Sequence, residues 1–280
     1  MPMPMRAHHQ QPTMFVMEKS ELKVRCLTIT VTFLLAFLIS LSVAGGPGPG
    51  AEEYSSKLQK IDELLFKGEN KEALGLLEDS AVNDPDSVES LWRLSRVYYE
   101  MGRLDKIKAS DLFKKSEEYA RAAITEDSFS SDSYKWLAIA LGAEAKYSDT
   151  KTQVHQSREI KESIEKAIDL NPGDDISYLV LSRWHYKVSG LGTVARTFAK
   201  IIYGGVPKAS LAESEELLLQ AIALRDRISH RYNLSKVYDR MGRSEDAKMQ
   251  LQLALLLPAT FPEEVEELGK AQRKLEEWKQ

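Results

Sequence analysis

An all-α fold, a right-handed helical solenoid with an N-terminal transmembrane helix, is what this sequence predicts, on three observations. The decapeptide Leu94-Ser-Arg-Val-Tyr-Tyr-Glu-Met-Gly-Arg103 returns with little change as Leu234-Ser-Lys-Val-Tyr-Asp-Arg-Met-Gly-Arg243, an internal repeat. Behind the second copy, Ala247, Leu251 and Ala254 form a small-large-small ladder at helical spacing, so the unit is a pair of antiparallel helices. The run from Cys26 to Ala44 carries no charge. At about 1.5 Å per residue it nearly spans a hydrocarbon core of roughly 30 Å.

Each copy of the repeat puts Leu, Val and Tyr on one side of a helix. It then ends at Gly102 or Gly242, expected to take the left-handed conformation that follows a helix C-terminus. Ser95 or Ser235 sits where helices approach closely, and Tyr98 or Tyr238 fills the gap. With the alanine ladder, this is the pattern of a tetratricopeptide repeat, whose unit buries its apolar face only by stacking on neighbours.

In chain order, residues 1–25 form a tail rich in Met, Pro, His and Gln, with too little apolar side chain for a core. Its His8-His9 pair reads as solvated rather than metal-bound. Residues 26–44 read as a membrane anchor. Lys19, Lys23 and Arg25 before them and Ser42-Val-Ala44 at their end support a cleaved secretory signal as the alternative, and a buried core helix is a third reading. Charge placement, with Glu52 and Glu53 following, favours lumenal repeats in an endoplasmic reticulum membrane, whereas a mitochondrial outer-membrane anchor need not obey that rule. The adopted expectation is a cytosolic repeat domain on one of these two membranes.

Residues 45–54 form a Gly/Pro linker that lacks the Gly-Lys-Ser/Thr ending of a phosphate loop. The repeat domain is expected over 55–261. Repeat one, closing at Asp84-Pro85, is marked by Leu64, Gly68, Ala73 and Leu77; Asp86 with Glu89 makes a capping box for repeat two. An insertion at Lys106–Asp111 then precedes Tyr119 and Ala122. Repeat three uses Tyr134, Leu137, Ala138 and Leu141, an insertion at Tyr147–Gln156, then Ile164 and Ala167. Repeat four uses Tyr178, Leu181 and Ser182, a detour through Gly190–Ser210, then Ser214, Leu218 and Ala221. After repeat five, residues 262–280 read as a capping helix with Val265, Leu268, Leu275 and Trp278 on its apolar side.

Leu91-Trp-Arg-Leu94, Tyr134-Lys-Trp136, Ile160 to Pro172, Trp184-His-Tyr186 and Arg196 to Tyr203 together resemble the regulator of microtubule dynamics family, over about Ile61 to Gln280. The resemblance implies a non-catalytic helical-repeat protein. It further implies association with microtubules and the spindle, or anchoring at mitochondria and the endoplasmic reticulum, and in one branch phospholipid binding at membrane contacts.

Acidic residues number 42 against 38 basic, so attraction to an anionic partner has to come from a local patch, and nucleic acid is not an expected partner. The single cysteine, Cys26, excludes intrachain disulfides and a soluble cysteine nucleophile. His155, His185 and His230 fall in no catalytic or zinc spacing, and Glu213, Glu215 and Glu216 read as solvated surface. The expectation is no enzyme and no cofactor. Counting from the repeat glycine instead assigns groove-facing positions: Trp92, Arg96, Tyr99, Lys135, Arg183, Tyr186, Lys187, Tyr232, Lys236 and Arg240. Such a wall suits an acidic peptide, such as a tubulin tail, or a phospholipid headgroup. In the competing reading the aromatics fill gaps between helices, and Arg96 or Lys236 pairs with a Glu on a neighbouring turn. The stripe Val194, Phe198, Ile201 and Ile202, with Arg196 and Lys200 beside it, reads either as an amphipathic segment on lipid or across the groove mouth, or as core.

Overall fold

The computed structural model describes residues 49–83 and 87–278; the N-terminal tail, the membrane segment, Asp84-Pro85 and Asp86 lie outside them. The helices are α1 (Pro49–Lys67), α2 (Asn70–Asn83), α3 (Val88–Leu104), α4 (Ala109–Glu126), α5 (Ser131–Glu144) and α6 (Thr150–Leu170). They continue as α7 (Asp175–Ser189), α8 (Thr193–Tyr203), α9 (Leu211–Leu224), α10 (Ile228–Arg240), α11 (Ser244–Ala254) and α12 (Pro262–Glu277). No strand occurs among the described residues, and no helix there is long and apolar enough to cross a membrane.

Within the compact unit Ser55–Gln280, helices pack in pairs: α3 on α4, α5 on α6, α7 on α9 and α10 on α11. The first helices of successive pairs also touch, α3 with α5, α5 with α7 and α7 with α10, and so form one continuous wall. Small residues let the pairs close. Ser95 Oγ lies 3.1 Å from Ser116 Oγ between α3 and α4, and Ser182 Oγ lies 2.8 Å from Ser214 Oγ between α7 and α9. Ser116 and Ser214 each donate to the facing carbonyl as well, at 2.8 and 3.0 Å. Such buried bonds contribute about 0.5–1.5 kcal/mol apiece. Around them Leu77, Leu141, Ile164, Leu218, Leu234 and Leu251 are fully buried, as the repeat spacing requires.

Several local expectations change. Gly242 has φ +77° and ends its helix in the left-handed conformation, but Gly102 stays helical because α3 runs on to Leu104. A Cβ at Gly102 would sit 2.7 Å from the Phe113 ring, so this glycine serves close packing rather than a turn. The insertion expected at Lys106–Asp111 is a tight turn in which Asp105 accepts from the amides of Ile107 and Lys108, and α4 starts at Ala109. On α4 the fully buried positions after Ser116 are Ala120 and Ala123, one residue beyond Tyr119 and Ala122, in register with Ser116 at the contact with α3. Most of the insertion expected at Tyr147–Gln156 is instead the first turns of α6, capped by Asp149, which accepts from the amides of Lys151 and Thr152. Glu89 is drawn into bonds with Arg93 and Trp92 rather than a capping box, and the N-cap is Ser87. Pro49 opens α1, so the end of the Gly/Pro linker is helical, consistent with proline's fit to a first turn.

The C-terminal helix departs most from expectation. Val265 is 62% exposed, and the buried face of α12 carries Glu264, Glu267 and Ala271. Donors on α10 and α7 make an acidic face the one that fits. Glu264 accepts from the Ser229 amide, and Glu267 from Ser229 Oγ and Arg183. Trp278 does pack inward, against the Tyr238 and Ala247 cluster.

Candidate functional site: a basic and aromatic trough

The continuous wall of first helices curves round a cavity of about 1010 Å³, and the start of α12 closes it from the other side. Phe261 meets Phe66 of α1 with ring centroids 5.9 Å apart, and Arg103 of α3 lies 3.0 Å from Glu263. At the far end Lys274 approaches Asp239 of α10 at 3.7 Å. α12 therefore links the first repeats to the fifth and narrows what would be an open groove into a half-open chamber.

Six of the sequence-predicted positions come together here: Trp92, Arg96, Tyr99, Lys135, Arg183 and Lys187 all line the cavity. Tyr99 packs on Trp136 with centroids 5.8 Å apart, and Trp184 is pinned by its indole nitrogen donating to the Ser157 carbonyl at 2.8 Å. Ile139, Val154, Val180, Leu191 and Val206 complete an apolar lining. The other four positions form a separate cluster. Lys236 Nζ stands 5.1 Å from the Tyr186 ring centre and 5.7 Å from that of Tyr232, and Arg240 lies over Tyr186 at 4.9 Å. Arg240 is held there by donating to the Tyr186 carbonyl at 2.6 Å.

The charges divide into paired and unpaired. Lys135 bridges Asp132 and Asp174, Arg103 is shared by Glu100 and Glu263, Arg183 meets Glu267, and Arg227 meets Asp175. Among the described residues no acid lies within ion-pair distance of Arg96, Lys187 or Lys236, so the expected pairing of Arg96 or Lys236 with a neighbouring Glu does not occur. Arg96 Nε is buried without a hydrogen-bond partner there, its guanidinium 5.7 Å from the Trp136 ring centre. Burial pulls the Arg96 pKa below its ordinary value, which still leaves it charged. Desolvation, and then the like charges of Lys146, Arg183 and Lys236, lower the pKa of Lys187; desolvation and then Arg183 lower that of Lys236. Glu100 opposes the fall at Arg96 and Glu267 that at Lys236, while Lys187 keeps an exposed ammonium.

Sequence reasoning missed the acidic partners Glu263 and Glu267, since the spacing of α12 points to an apolar face. It also took three polar groups as isolated or solvated. His185 Nδ1 lies 3.1 Å from Glu213, His230 is fully buried with Nε2 3.4 Å from Asp175, and Glu215 accepts from Arg243 at 2.8 Å. Asn233, within a formal glycosylation signal, is 6% exposed and donates to the Ser229 carbonyl, so its amide is occupied by packing. No His, Cys, Asp and Glu cluster able to hold a metal is found among the described residues.

Comparison with known proteins places this arrangement. The chain is similar in fold to a thermophilic TPR protein from Thermus thermophilus, with a TM-score of 0.61 at 19% identity over 79% of this chain and 98% of that one. It is 33% identical over 224 residues to regulator of microtubule dynamics protein 3 of Xenopus laevis, covering 78% of this chain and 48% of the relative. Against regulator of microtubule dynamics protein 1 of Bos taurus it is 29% identical over 165 residues, covering 58% of this chain and 51% of the relative. The chain thus spans about half the length of the curated relatives it matches. The family model for regulator of microtubule dynamics protein 1-3 matches residues 57–279, the whole stack together with the helix that closes it, and the chain belongs to that family.

Proposed function

We propose that this chain is a non-catalytic TPR-like scaffold, tethered by residues 26–44 to the mitochondrial outer membrane or the endoplasmic reticulum, whose cytosolic chamber holds a phospholipid. One observation carries the reading: an apolar, aromatic cavity contains cations, Arg96 and Lys187, with no acid within ion-pair distance among the described residues. A phosphate against either cation, with acyl chains along Trp136, Trp184 and Val206, suits both the charge and the lining. The volume lies at the upper end of the about 300–1,000 Å³ of small-molecule sites, in keeping with a ligand larger than a metabolite. Native mass spectrometry of the full chain from a membrane-rich host is expected to show a retained phospholipid, lost in Arg96→Glu with Lys187→Glu. Repeatedly lipid-free spectra of the unaltered chain reject the reading.

A second reading concerns the cluster of Tyr186, Tyr232, Lys236 and Arg240, which lies outside the chamber lining and suits an acidic peptide such as a tubulin tail. Membership of a family named for microtubule dynamics favours it. Microtubule co-sedimentation is expected to fall in Lys236→Glu with Arg240→Glu, and unchanged sedimentation rejects it. A lumenal or secreted adaptor instead predicts a mature N-terminus at Gly45, which intact mass decides.

A further inference from the structure

Between α7 and α9, where a repeat would need only a short turn, the chain inserts α8 and the loop 204–210. One face of α8 belongs to the chamber: Ala199 is buried and lines the cavity together with Leu191 and Val206. No described residue covers the opposite face. Val194 is 85% exposed, Ile201 75% and Ile202 54%. The segment is nevertheless fixed at both ends. Arg196 donates to the Leu191 and Val188 carbonyls, Gly204 ends the helix at φ +75°, and Arg158 donates to the Gly205 carbonyl at 2.6 Å. An aliphatic stripe held outward on a secured helix invites a partner.

Local charge identifies that partner. The chain as a whole is net acidic, yet from Ile176 to Ala212 it contains no Asp or Glu and carries Arg183, Lys187, Arg196, Lys200 and Lys208. Lys200 on α8 and Lys208 in the loop are exposed beside the stripe. Aliphatic side chains outward, lysines flanking them and no acid in the segment itself are the features of a helix lying in the interface of an anionic bilayer. An acidic protein would satisfy the lysines and leave the stripe wet. We propose that the outer face of α8, through Val194, Ile201 and Ile202 with Lys200 and Lys208, docks the repeat domain on an anionic lipid surface. This docking goes beyond the proposed function and does not depend on what the chamber holds. Because Ala199 on the other face of the same helix lines the cavity, docking sets the chamber wall against the bilayer.

The test uses the full chain with Cys26→Ser and one introduced cysteine, Val194→Cys on the stripe or Glu216→Cys on an exposed position of α9, carrying an environment-sensitive fluorophore. Phosphatidylcholine vesicles doped with phosphatidylserine are expected to shift emission to the blue at position 194 and not at 216, with quenching at 194 by spin-labelled acyl chains. Ile201→Asp with Ile202→Asp, and separately Lys200→Glu with Lys208→Glu, should each raise the lipid needed for half the shift at least about tenfold. The N-terminal segment alone can bring the chain to vesicles, and the position-specific reporter separates that from docking by α8. The inference is overturned if position 194 stays unshifted on vesicle-bound chain, or if 194 and 216 shift alike. It is equally overturned by a shift that grows with protein concentration in the absence of vesicles, the behaviour of a second copy on the stripe.

Discussion

Arg183 on α7 donates through Nη2 to Oε1 of Glu267 on α12, at 3.0 Å, across 84 residues of sequence. This bond, with that of Arg103 to Glu263, turns an end cap into a closing strap. Removing Glu267 also strips Ser229 and Asn233 of an acceptor. Glu267→Ala is expected to destabilise the chain by about 1–3 kcal/mol, the scale for leaving buried donors without their acceptor, since Arg183 is partly exposed and can turn to water. Glu267→Gln, which keeps an acceptor, should cost less, and urea unfolding of the two variants checks the order.

Burial raises the pKa of Glu267 above its ordinary 4.5, with Arg183 and Ser229 opposing the rise. The native state then binds a proton at higher pH than the unfolded chain. The contribution of this group to stability should therefore decrease as pH rises from 4.5 toward the raised value, and level off above it. Glu267→Gln should remove that component from the pH profile of the unfolding midpoint.

His230 behaves oppositely. It is fully buried between Asp175, Arg227 and Glu264, with Nδ1 bonded to the Arg225 carbonyl at 2.8 Å, and burial is the chief cause lowering its pKa below 6.5. The unfolded chain takes up the proton first. Stability from this group is present above pH 6.5 and should fall as pH drops from there toward the lowered value. His185, also lowered by burial first, adds in the same sense. His230→Gln should flatten the loss below about pH 6.5, read as the urea midpoint at each pH.

The two repeat glycines should respond differently to alanine. Gly242→Ala forces a side chain to φ +77° and should cost about 1–2 kcal/mol whatever surrounds it. Gly102→Ala drives a methyl into the Phe113 ring, so its cost should shrink in a Phe113→Ala background. A double-mutant cycle by thermal unfolding separates strain from crowding. Additivity at 102 and 113 would contradict the crowding.

Gly142 lies inside α5, lines the chamber, and has open space where a Cβ would stand. Gly142→Ala should stabilise the chain by about 0.5–1 kcal/mol through helix propensity. Gly142→Phe should fill the chamber and reduce phospholipid retained in native mass spectra without lowering the unfolding midpoint.

Particular residues show how much was legible in the sequence. Ser95, Ala247, Leu251 and Ser214 announce their burial through spacing alone, because helical periodicity is local and stacking is the only way such faces leave water. Trp92, Arg96, Tyr99, Lys135, Arg183 and Lys187 could be assigned to one wall by counting from a glycine, since successive first helices repeat the same register. Spacing does not report partners. Lys135 and Arg96 read alike in sequence, yet Lys135 is neutralised by Asp132 and Asp174 while Arg96 meets no acid within ion-pair distance among the described residues.

The sequence by itself determined the paired helices, their order and the cationic, aromatic inner wall, all of which follow from contacts between residues near one another or in matching repeats. Only the tertiary structure decided that Glu263 and Glu267 return to Arg103 and Arg183 and so set α12 across that wall. The physical reason is that a buried carboxylate is tolerated wherever donors converge on it. Convergence across 84 residues depends on the curvature of the whole stack, which no periodicity in α12 records.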